Sequence, residues 1–193
     1  MAERIVLFDL GGVLADLGRP ADAMQLGMSN DEFWAIWLNS PDVRAFERGR
    51  IAIDEFCDRL APEFGESSGA RMRERLERWQ LRLFDGVERL VSDVASEARV
   101  ALLSNTNALH WSQVTRGNDV FDRFDALFLS FETGHFKPDP AAFEQVVAHY
   151  GCAPRNIVFL DDAQRNVDAA RASGFEAHVV RGPAEARSKL DDE

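Results

Sequence analysis

Four short apolar runs, separated by long helical segments, constrain the fold of this chain more than any other feature. The runs are Ile5–Phe8, Val100–Leu103, Ala126–Ser130 and Ile157–Leu160. Continuous apolar runs of this length, rich in branched and aromatic side chains, predict strands that are buried on both faces. From Asp85 onward strand and helix patterns alternate, and a fifth strand is predicted at Ala177–Val180. This alternation is typical of an α/β fold built on a parallel sheet.

A helical segment separates the first predicted strand from the second. Its signals include a capping box at Ser29–Glu32 and a long charged helix predicted over Ala70–Phe84. Trp34, Trp37 and Trp79 are expected to form its core, or in part to line a substrate pocket. Roughly 70 residues without a strand signal suffice for a four-helix unit. The expected division is a helical cap at residues 15–84 and an α/β core made of residues 1–14 and 85–193.

Charge and hydropathy narrow the range of partners. The formal charge is −11, from 33 acidic and 22 basic residues. Nucleic acids and anionic membranes attract basic surfaces, so both are disfavoured as partners. No apolar run approaches the ~20 residues that a membrane-spanning helix needs, and no secretory leader is recognisable. A cytoplasmic protein that acts on a small molecule is therefore expected.

Polar residues follow the predicted strands where each strand ends. Asp9 follows the first, Ser104 the second and the pair Asp161–Asp162 the fourth, while Lys137 lies in the loop after the third. The carboxyl ends of parallel strands meet at one edge of a sheet, so we expect these side chains to share a crevice. Carboxylates suit Mg²⁺, and lysine and hydroxyl donors suit a phosphoryl group. A carboxylate can also attack phosphorus and form an aspartyl-phosphate.

With these motifs in this order, the chain resembles the haloacid-dehalogenase-like hydrolase superfamily over essentially its full length. The motifs are V-L-F-D-L-G-G-V-L (Val6 to Leu14), L-L-S-N-T (Leu102 to Thr106), G-H-F-K-P-D-P (Gly134 to Pro140) and V-F-L-D-D-A-Q-R-N (Val158 to Asn166). The cap-like segment F-E-R-G-R-I-A-I-D-E-F (Phe46 to Phe56) lies where this family inserts a small helical cap. The resemblance implies a Rossmann-like parallel sheet core of strand order 5-4-1-2-3 under a mobile cap.

The resemblance also implies roles for individual residues. By that match Asp9 is the nucleophile, and Lys137 assists it. The residues expected to bind the phosphoryl group are Ser104, Asn105, Lys137, Gly11 and Gly12. The expected ligands of a Mg²⁺ cofactor are Asp162, Asp161, Asp9 and the backbone carbonyl of Gly11. The implied activity is that of a Mg²⁺-dependent phosphatase of a small phosphorylated metabolite.

Two positions depart from the family pattern. Gly11 stands where family phosphatases usually have a second aspartate as general acid and base, and Asn166 stands where many relatives have an acid. Losing a positioned acid/base typically costs on the order of 10²–10⁴ in rate. One response is a substrate with a better leaving group, such as a sugar phosphorylated at its anomeric oxygen or an acyl phosphate. The glucose-1-phosphate phosphatase branch of the family, which has a similar D-L-G-x-V opening, supports this response.

The sequence leaves open other ways in which the protein could compensate for the missing general acid, or lose activity without it. Asp16 or His135 would replace the missing acid, or catalysis would be lost, leaving a protein that binds a phospholigand or a partner. The family's metal-independent dehalogenases, which also lack the second aspartate, offer a rival activity. Without a metal, however, Asp161 and Asp162 would repel each other and a carboxylate substrate. This repulsion favours the phosphatase.

Overall fold

The strands and helices follow the predicted alternation. The computed structural model describes residues 4–192; residues 1–3 and 193, which belong to the predicted core segments, lie outside the described residues. The elements in chain order are β1 (Ile5–Phe8), β2 (Ala15–Asp16), α1 (Pro20–Ala23), α2 (Asn30–Asn39), α3 (Pro41–Glu47), α4 (Ile53–Leu60), α5 (Gly69–Arg78), β3 (Arg82–Leu83), α6 (Val87–Ala95), β4 (Arg99–Ser104), α7 (Ala108–Thr115), β5 (Ala126–Leu129), α8 (Ser130–Thr133), α9 (Pro140–Tyr150), β6 (Ile157–Asp161), α10 (Gln164–Ala172), β7 (Glu176–Val179) and α11 (Gly182–Asp191).

Five of these strands form one sheet in the order β5-β4-β1-β6-β7, and every neighbouring pair is parallel. Counted among themselves, the five strands give the order 3-2-1-4-5, which is the expected 5-4-1-2-3 read from the opposite edge. The Rossmann-like order is therefore confirmed. Phe8 pairs with Leu102 of β4 and Leu160 of β6, so these three central strands end at nearly the same height. The residues that follow them consequently lie together at one edge of the sheet.

The sheet separates two hydrophobic clusters because side chains alternate between its faces. Ile5 and Leu7 contribute to one cluster, which is covered by α9 and α10. Val6 and Phe8 contribute to the other cluster, which continues into the helices of residues 20–78. All four side chains of β1 are at most 2% exposed, as expected for the central strand of a sheet covered on both faces.

The long insertion between β1 and α6 is mostly helical. The capping box at Ser29 is confirmed, since the Glu32 N–H donates to its hydroxyl and its own N–H donates to the Glu32 carboxylate. The predicted helix over 70–84 is wrong at its carboxyl end, because α5 stops at Arg78. Residues 82–83 instead form β3, which pairs antiparallel with β2: Leu83 lies opposite Ala15, and Arg82 lies opposite Asp16. This two-stranded ribbon lies where the chain leaves the core and returns to it.

Arg48 and Gly49, which follow α3, contact the α/β core and so hold the inserted helices against it. Gly49 has φ +66°, and a Cβ at this position would collide with the backbone carbonyl oxygen of Phe131. Only glycine combines this backbone geometry with so close an approach. The neighbouring Arg48 forms an ion pair with Asp139 and places its guanidinium 5.2 Å from the ring centroid of Phe136. Among residues 4–192, no helix has both the length and the apolar character that crossing a bilayer demands.

Candidate active site

A cavity of about 150 Å³ lies between the carboxyl edge of the sheet and the inserted helices. Strand ends and the loops that follow them supply its floor. The predicted site residues that line it are Asp9, Gly11, Ser104, Asn105, Lys137 and Asp162. Asp161 lies directly beneath this floor, fully buried, and Gly12 lies against Asp162. The structure thus gathers the predicted residues from four separate segments at one place.

Lys137 is the electrostatic centre of the site. Its ammonium nitrogen lies 2.8 Å from Asp9 Oδ1 and 2.6 Å from Asp161 Oδ2, and the side chain is 1% exposed. Burial alone would lower the pKa of Lys137, but the charges of Asp161 and Asp9 outweigh burial and raise it. The lysine therefore remains a cation, held beside Asp9, the predicted nucleophile.

The Asn105 side chain fixes the position of Lys137. Asn105 Oδ1 accepts a hydrogen bond from the Lys137 N–H at 2.8 Å, and Asn105 Nδ2 donates to the Lys137 carbonyl at 2.8 Å. Both polar atoms of the amide are thereby engaged by the backbone of one residue. Asn105 therefore acts on the site through Lys137, by fixing the backbone that carries the ammonium group.

Asp161 is held in place from several directions. Its Oδ1 accepts from the Ala163 N–H at 2.8 Å, and the Asn166 amide donates to both of its carboxylate oxygens at 3.0 Å. The ammonium of Lys137 bonds Oδ2. An acid at position 166 would face this carboxylate with like charge, whereas the asparagine supplies donors. The departure from the family pattern at Asn166 therefore suits the orientation of Asp161.

Gly12 makes room for Asp162. It has φ +73°, and a Cβ there would lie 2.5 Å from Asp162 Oδ2, so any side chain would displace the carboxylate. The Gly12 N–H donates to the Ala15 carbonyl and the Gly12 carbonyl accepts from the Gly182 N–H, both at 2.8 Å. A phosphate contact made by the Gly12 N–H, as predicted, would have to compete with the first of these bonds.

The acidic cluster suits a divalent cation. Asp9, Asp161 and Asp162 each offer a carboxylate oxygen, and these oxygens lie within 4.8 Å of one another. Burial, with added repulsion from Asp161 and Asp162, raises the pKa of Asp9 to about 8 although Lys137 opposes the shift. Burial and the charge of Asp161 likewise raise the pKa of Asp162. The site thus holds more acidic groups than Lys137 neutralises, and Mg²⁺, which prefers oxygen ligands, fits the residues present.

Aromatic side chains of the insertion form the upper part of the cavity. Trp34, Trp37 and Trp79 line it and also pack against one another and against Phe33, so they serve both as core and as pocket wall. Glu47 and His110 also line the cavity, and neither was among the predicted site residues. Glu47 lies at the end of α3 and His110 on α7.

Glu47 brings a carboxyl group from the insertion to the cavity. Burial raises its pKa to about 7, while a hydrogen bond from the Trp37 side chain and the charge of Arg165 act in the opposite direction. Neither Asp16 nor His135, the residues considered as substitutes for the acid missing at Gly11, is among the residues that line the cavity. Asp16 is exposed and accepts a hydrogen bond from the Gly18 N–H.

Replacing Glu47 with glutamine should change how stability depends on pH. A glutamate with a folded-state pKa of about 7 binds more protons when folded than when unfolded between its usual pKa of 4.5 and that value. The contribution of Glu47 to stability therefore falls as pH rises through this window, and Glu47→Gln removes it. Urea denaturation without added metal should show the variant gaining free energy of unfolding, relative to wild type, from about pH 5 to about pH 8.

The matched control for this prediction is Glu74→Gln, which changes an exposed glutamate on α5. We expect the difference in free energy of unfolding between Glu74→Gln and wild type to be the same at about pH 5 and at about pH 8. A stability difference between Glu47→Gln and wild type that stays constant with pH would contradict the environment described for Glu47.

The chain is similar to known hydrolases over most of its length. The family model described as haloacid dehalogenase-like hydrolase matches residues 3–174. A D-ribitol-5-phosphate phosphatase of Bacteroides thetaiotaomicron is 28% identical, over 96% of this chain and 95% of its own length. The sesquiterpene phosphatase astK of Aspergillus oryzae is also 28% identical, over 89% of this chain and 87% of its own.

A solved structure extends the comparison to three dimensions. The HAD family enzyme bt-2542 of Bacteroides thetaiotaomicron, in complex with magnesium and inorganic phosphate, superposes with a TM-score of 0.77 at 26% identity. The match covers 93% of this chain and 95% of that one. In the present structure the acidic cluster is suited to magnesium, and Lys137 is suited to phosphate.

Proposed function

The chain belongs to the haloacid dehalogenase-like hydrolase family, and on that basis we propose that it hydrolyses a small sugar phosphate with Mg²⁺ as cofactor. The observation that carries the proposal is the cluster of Asp9, Asp161 and Asp162 around Lys137 in a single cavity. The phosphatases among its relatives support the reaction class. The acidic cluster also disfavours metal-independent dehalogenation, since a carboxylate substrate would meet Asp9 and Asp162 at the cavity floor, with Asp161 buried beneath them.

The reaction proposed begins with an attack by the Asp9 carboxylate on phosphorus: the bond from Asp9 to phosphorus forms as the bond to the sugar oxygen breaks, which leaves an aspartyl-phosphate. The sugar oxygen departs with the bonding electrons and takes its proton from water. Lys137 and Ser104 offset the charge on the phosphoryl oxygens, and Asn105 keeps Lys137 in place. Water then hydrolyses the aspartyl-phosphate and regenerates Asp9. Mg²⁺ would be held by the Asp9 and Asp162 carboxylates and the Gly11 carbonyl, with Asp161 beside them, and would neutralise phosphoryl charge.

Residues 15–84 are proposed to act as the cap that encloses the leaving group. The support for this role is the place of the insertion: it joins the core through the β2–β3 ribbon and contributes Trp34, Trp37 and Glu47 to the cavity. Closing such a cap over a bound substrate excludes bulk water and favours the leaving group that fits.

Gly11 bears on the choice of sugar phosphate. Position 11 carries no side chain that could protonate a departing alcohol, and a Cβ there would lie 3.2 Å from the side chain of Leu17. A substrate that needs little protonation of its leaving group suits such a site, because a positioned general acid contributes most when the leaving group is poor. We therefore propose a sugar phosphorylated at its anomeric oxygen in preference to a phosphate of a primary alcohol.

A panel of substrates tests this proposal. Sugar 1-phosphates, sugar and polyol 5- or 6-phosphates, nucleotides, acetyl phosphate and 2-chloropropionate should be offered with Mg²⁺ and with EDTA. We expect phosphate release only with Mg²⁺, and the highest kcat/KM for a sugar 1-phosphate. Chloride release that persists in EDTA would instead identify a dehalogenase. Absence of any turnover, with phosphate still bound, would identify a binding protein.

A further inference from the structure

A buried histidine in the cavity has a ring nitrogen without a protein partner. His110 lines the upper part of the cavity and is only 4% exposed. Its Nε2 is buried, and no group among residues 4–192 forms a hydrogen bond with it. Buried polar atoms in native proteins are nearly always hydrogen-bonded, so a partnerless nitrogen on a residue that lines the cavity needs a partner, which a ligand in the cavity can supply.

The residue before α7 determines which nitrogen of His110 carries the proton. Asn107 Oδ1 accepts a hydrogen bond from the His110 N–H at 3.0 Å, capping the helix, and this bond fixes the orientation of the Asn107 amide. The Asn107 NH₂ group consequently lies 3.1 Å from His110 Nδ1. Because an amide NH₂ only donates, Nδ1 must accept, and in the neutral ring the proton is then on Nε2.

The ring is held neutral and in a fixed orientation. Burial lowers the pKa of His110 to about 3. The Trp79 ring packs edge-on against the imidazole, with the ring centroids 4.5 Å apart. His110 thus carries a neutral N–H donor beside the cavity, and the Glu47 carboxyl group, which also lines the cavity, offers an acceptor oxygen.

We infer that His110 determines specificity by donating its Nε2–H to an oxygen of the leaving group, a hydroxyl or the ring oxygen of the sugar. The inference rests on the proposed function and adds to it a residue that selects the leaving group through a hydrogen bond. A neutral donor in a fixed position favours an uncharged oxygen over an ammonium group, which has no lone pair to accept the bond. With Glu47 as acceptor and three tryptophans as apolar walls, the upper cavity suits a polyhydroxylated leaving group.

The variant His110→Phe tests the inference. Phenylalanine keeps an aromatic ring against Trp79 but has no donor. We expect kcat/KM for the best sugar phosphate of the panel to fall about tenfold, as for the loss of one neutral hydrogen bond. For acetyl phosphate, whose leaving group has no hydroxyl, kcat/KM should change by less than about twofold. His149→Phe, at an exposed histidine on α9, is the matched control and should alter neither value.

A second measurement does not depend on the variant's folding. Nitrogen-15 NMR of the wild-type imidazole should show a protonated Nε2 and an unprotonated Nδ1 at neutral pH. A proton on Nδ1, an equal loss on both substrates in folded His110→Phe, or no loss on either would overturn the inference while leaving the proposed function intact. Wild-type protein that hydrolyses acetyl phosphate but no sugar phosphate would overturn the proposed substrate, and the inference with it.

Discussion

Replacing Asp9 with asparagine is expected to abolish phosphate release by a protein that remains folded. The amide that replaces the carboxylate cannot form an acyl-phosphate, and loss of a covalent nucleophile costs at least about four orders of magnitude in kcat. The fold should tolerate the change, because the amide oxygen of the new side chain could still accept the hydrogen bond that the Leu10 N–H donates to Asp9 at 2.7 Å. Burial already disfavours charge at this position, so the melting temperature should not fall.

The matched control for Asp9→Asn is Asp16→Asn, the same change at an exposed aspartate of β2. Phosphate release by this variant should equal that of the wild type. Turnover by Asp9→Asn within about a hundredfold of wild type would remove Asp9 from the role of nucleophile.

Replacing Lys137 with methionine is expected to damage both catalysis and stability. Loss of a single preorganised donor to a transition-state oxygen typically lowers kcat by about 10²–10³. Methionine would also leave Asp161 buried without its ammonium partner, and breaking a buried ion pair costs about 3–5 kcal/mol in free energy of unfolding. Steady-state kinetics and urea denaturation measure the two effects separately.

Lys189 provides the control for this variant, since it is the second of only two lysines in the chain and lies on α11, away from the cavity. Lys189→Met should leave kcat and the free energy of unfolding close to wild type. Added Mg²⁺ should recover part of the stability lost in Lys137→Met, because a cation offsets the unneutralised carboxylates. A Lys137→Met variant with unchanged stability and kcat would contradict the role described for the lysine.

Sequence patterns predicted the features that depend on local periodicity. The strand before Asp9 is recognisable because a buried parallel strand needs an unbroken apolar run, and the same holds for the strand before Asp161. Because these two strands are parallel and end at the same edge of the sheet, Asp9 and Asp161 lie close together, and no knowledge of the loops is needed to predict it. The capping box at Ser29 is local in the same sense, since Ser29 and Glu32 lie within one helical turn.

Three features that depend on contacts between distant parts of the chain were not predicted. The β2–β3 ribbon joins Ala15 to Leu83, and neither two-residue strand has enough sequence to show an alternating pattern. The hydrogen bonds between the Asn105 side chain and the Lys137 backbone join residues 32 positions apart, and no local sequence pattern predicts them. Glu47 belongs to a motif that was noted for the resemblance to a cap. Its place in the cavity depends on how α3 packs over the core.

Trapping a phosphoryl group on Asp9 would show directly that this residue is the nucleophile. Wild-type protein turning over its best substrate with Mg²⁺ should be quenched in acid within milliseconds, digested, and examined by mass spectrometry. We expect the peptide containing Asp9 to carry the mass of one phosphoryl group on that residue, and the adduct to be absent when EDTA is present. A phosphoryl group found on another side chain, or steady turnover with Asp9 never modified, would contradict the role of Asp9 as nucleophile.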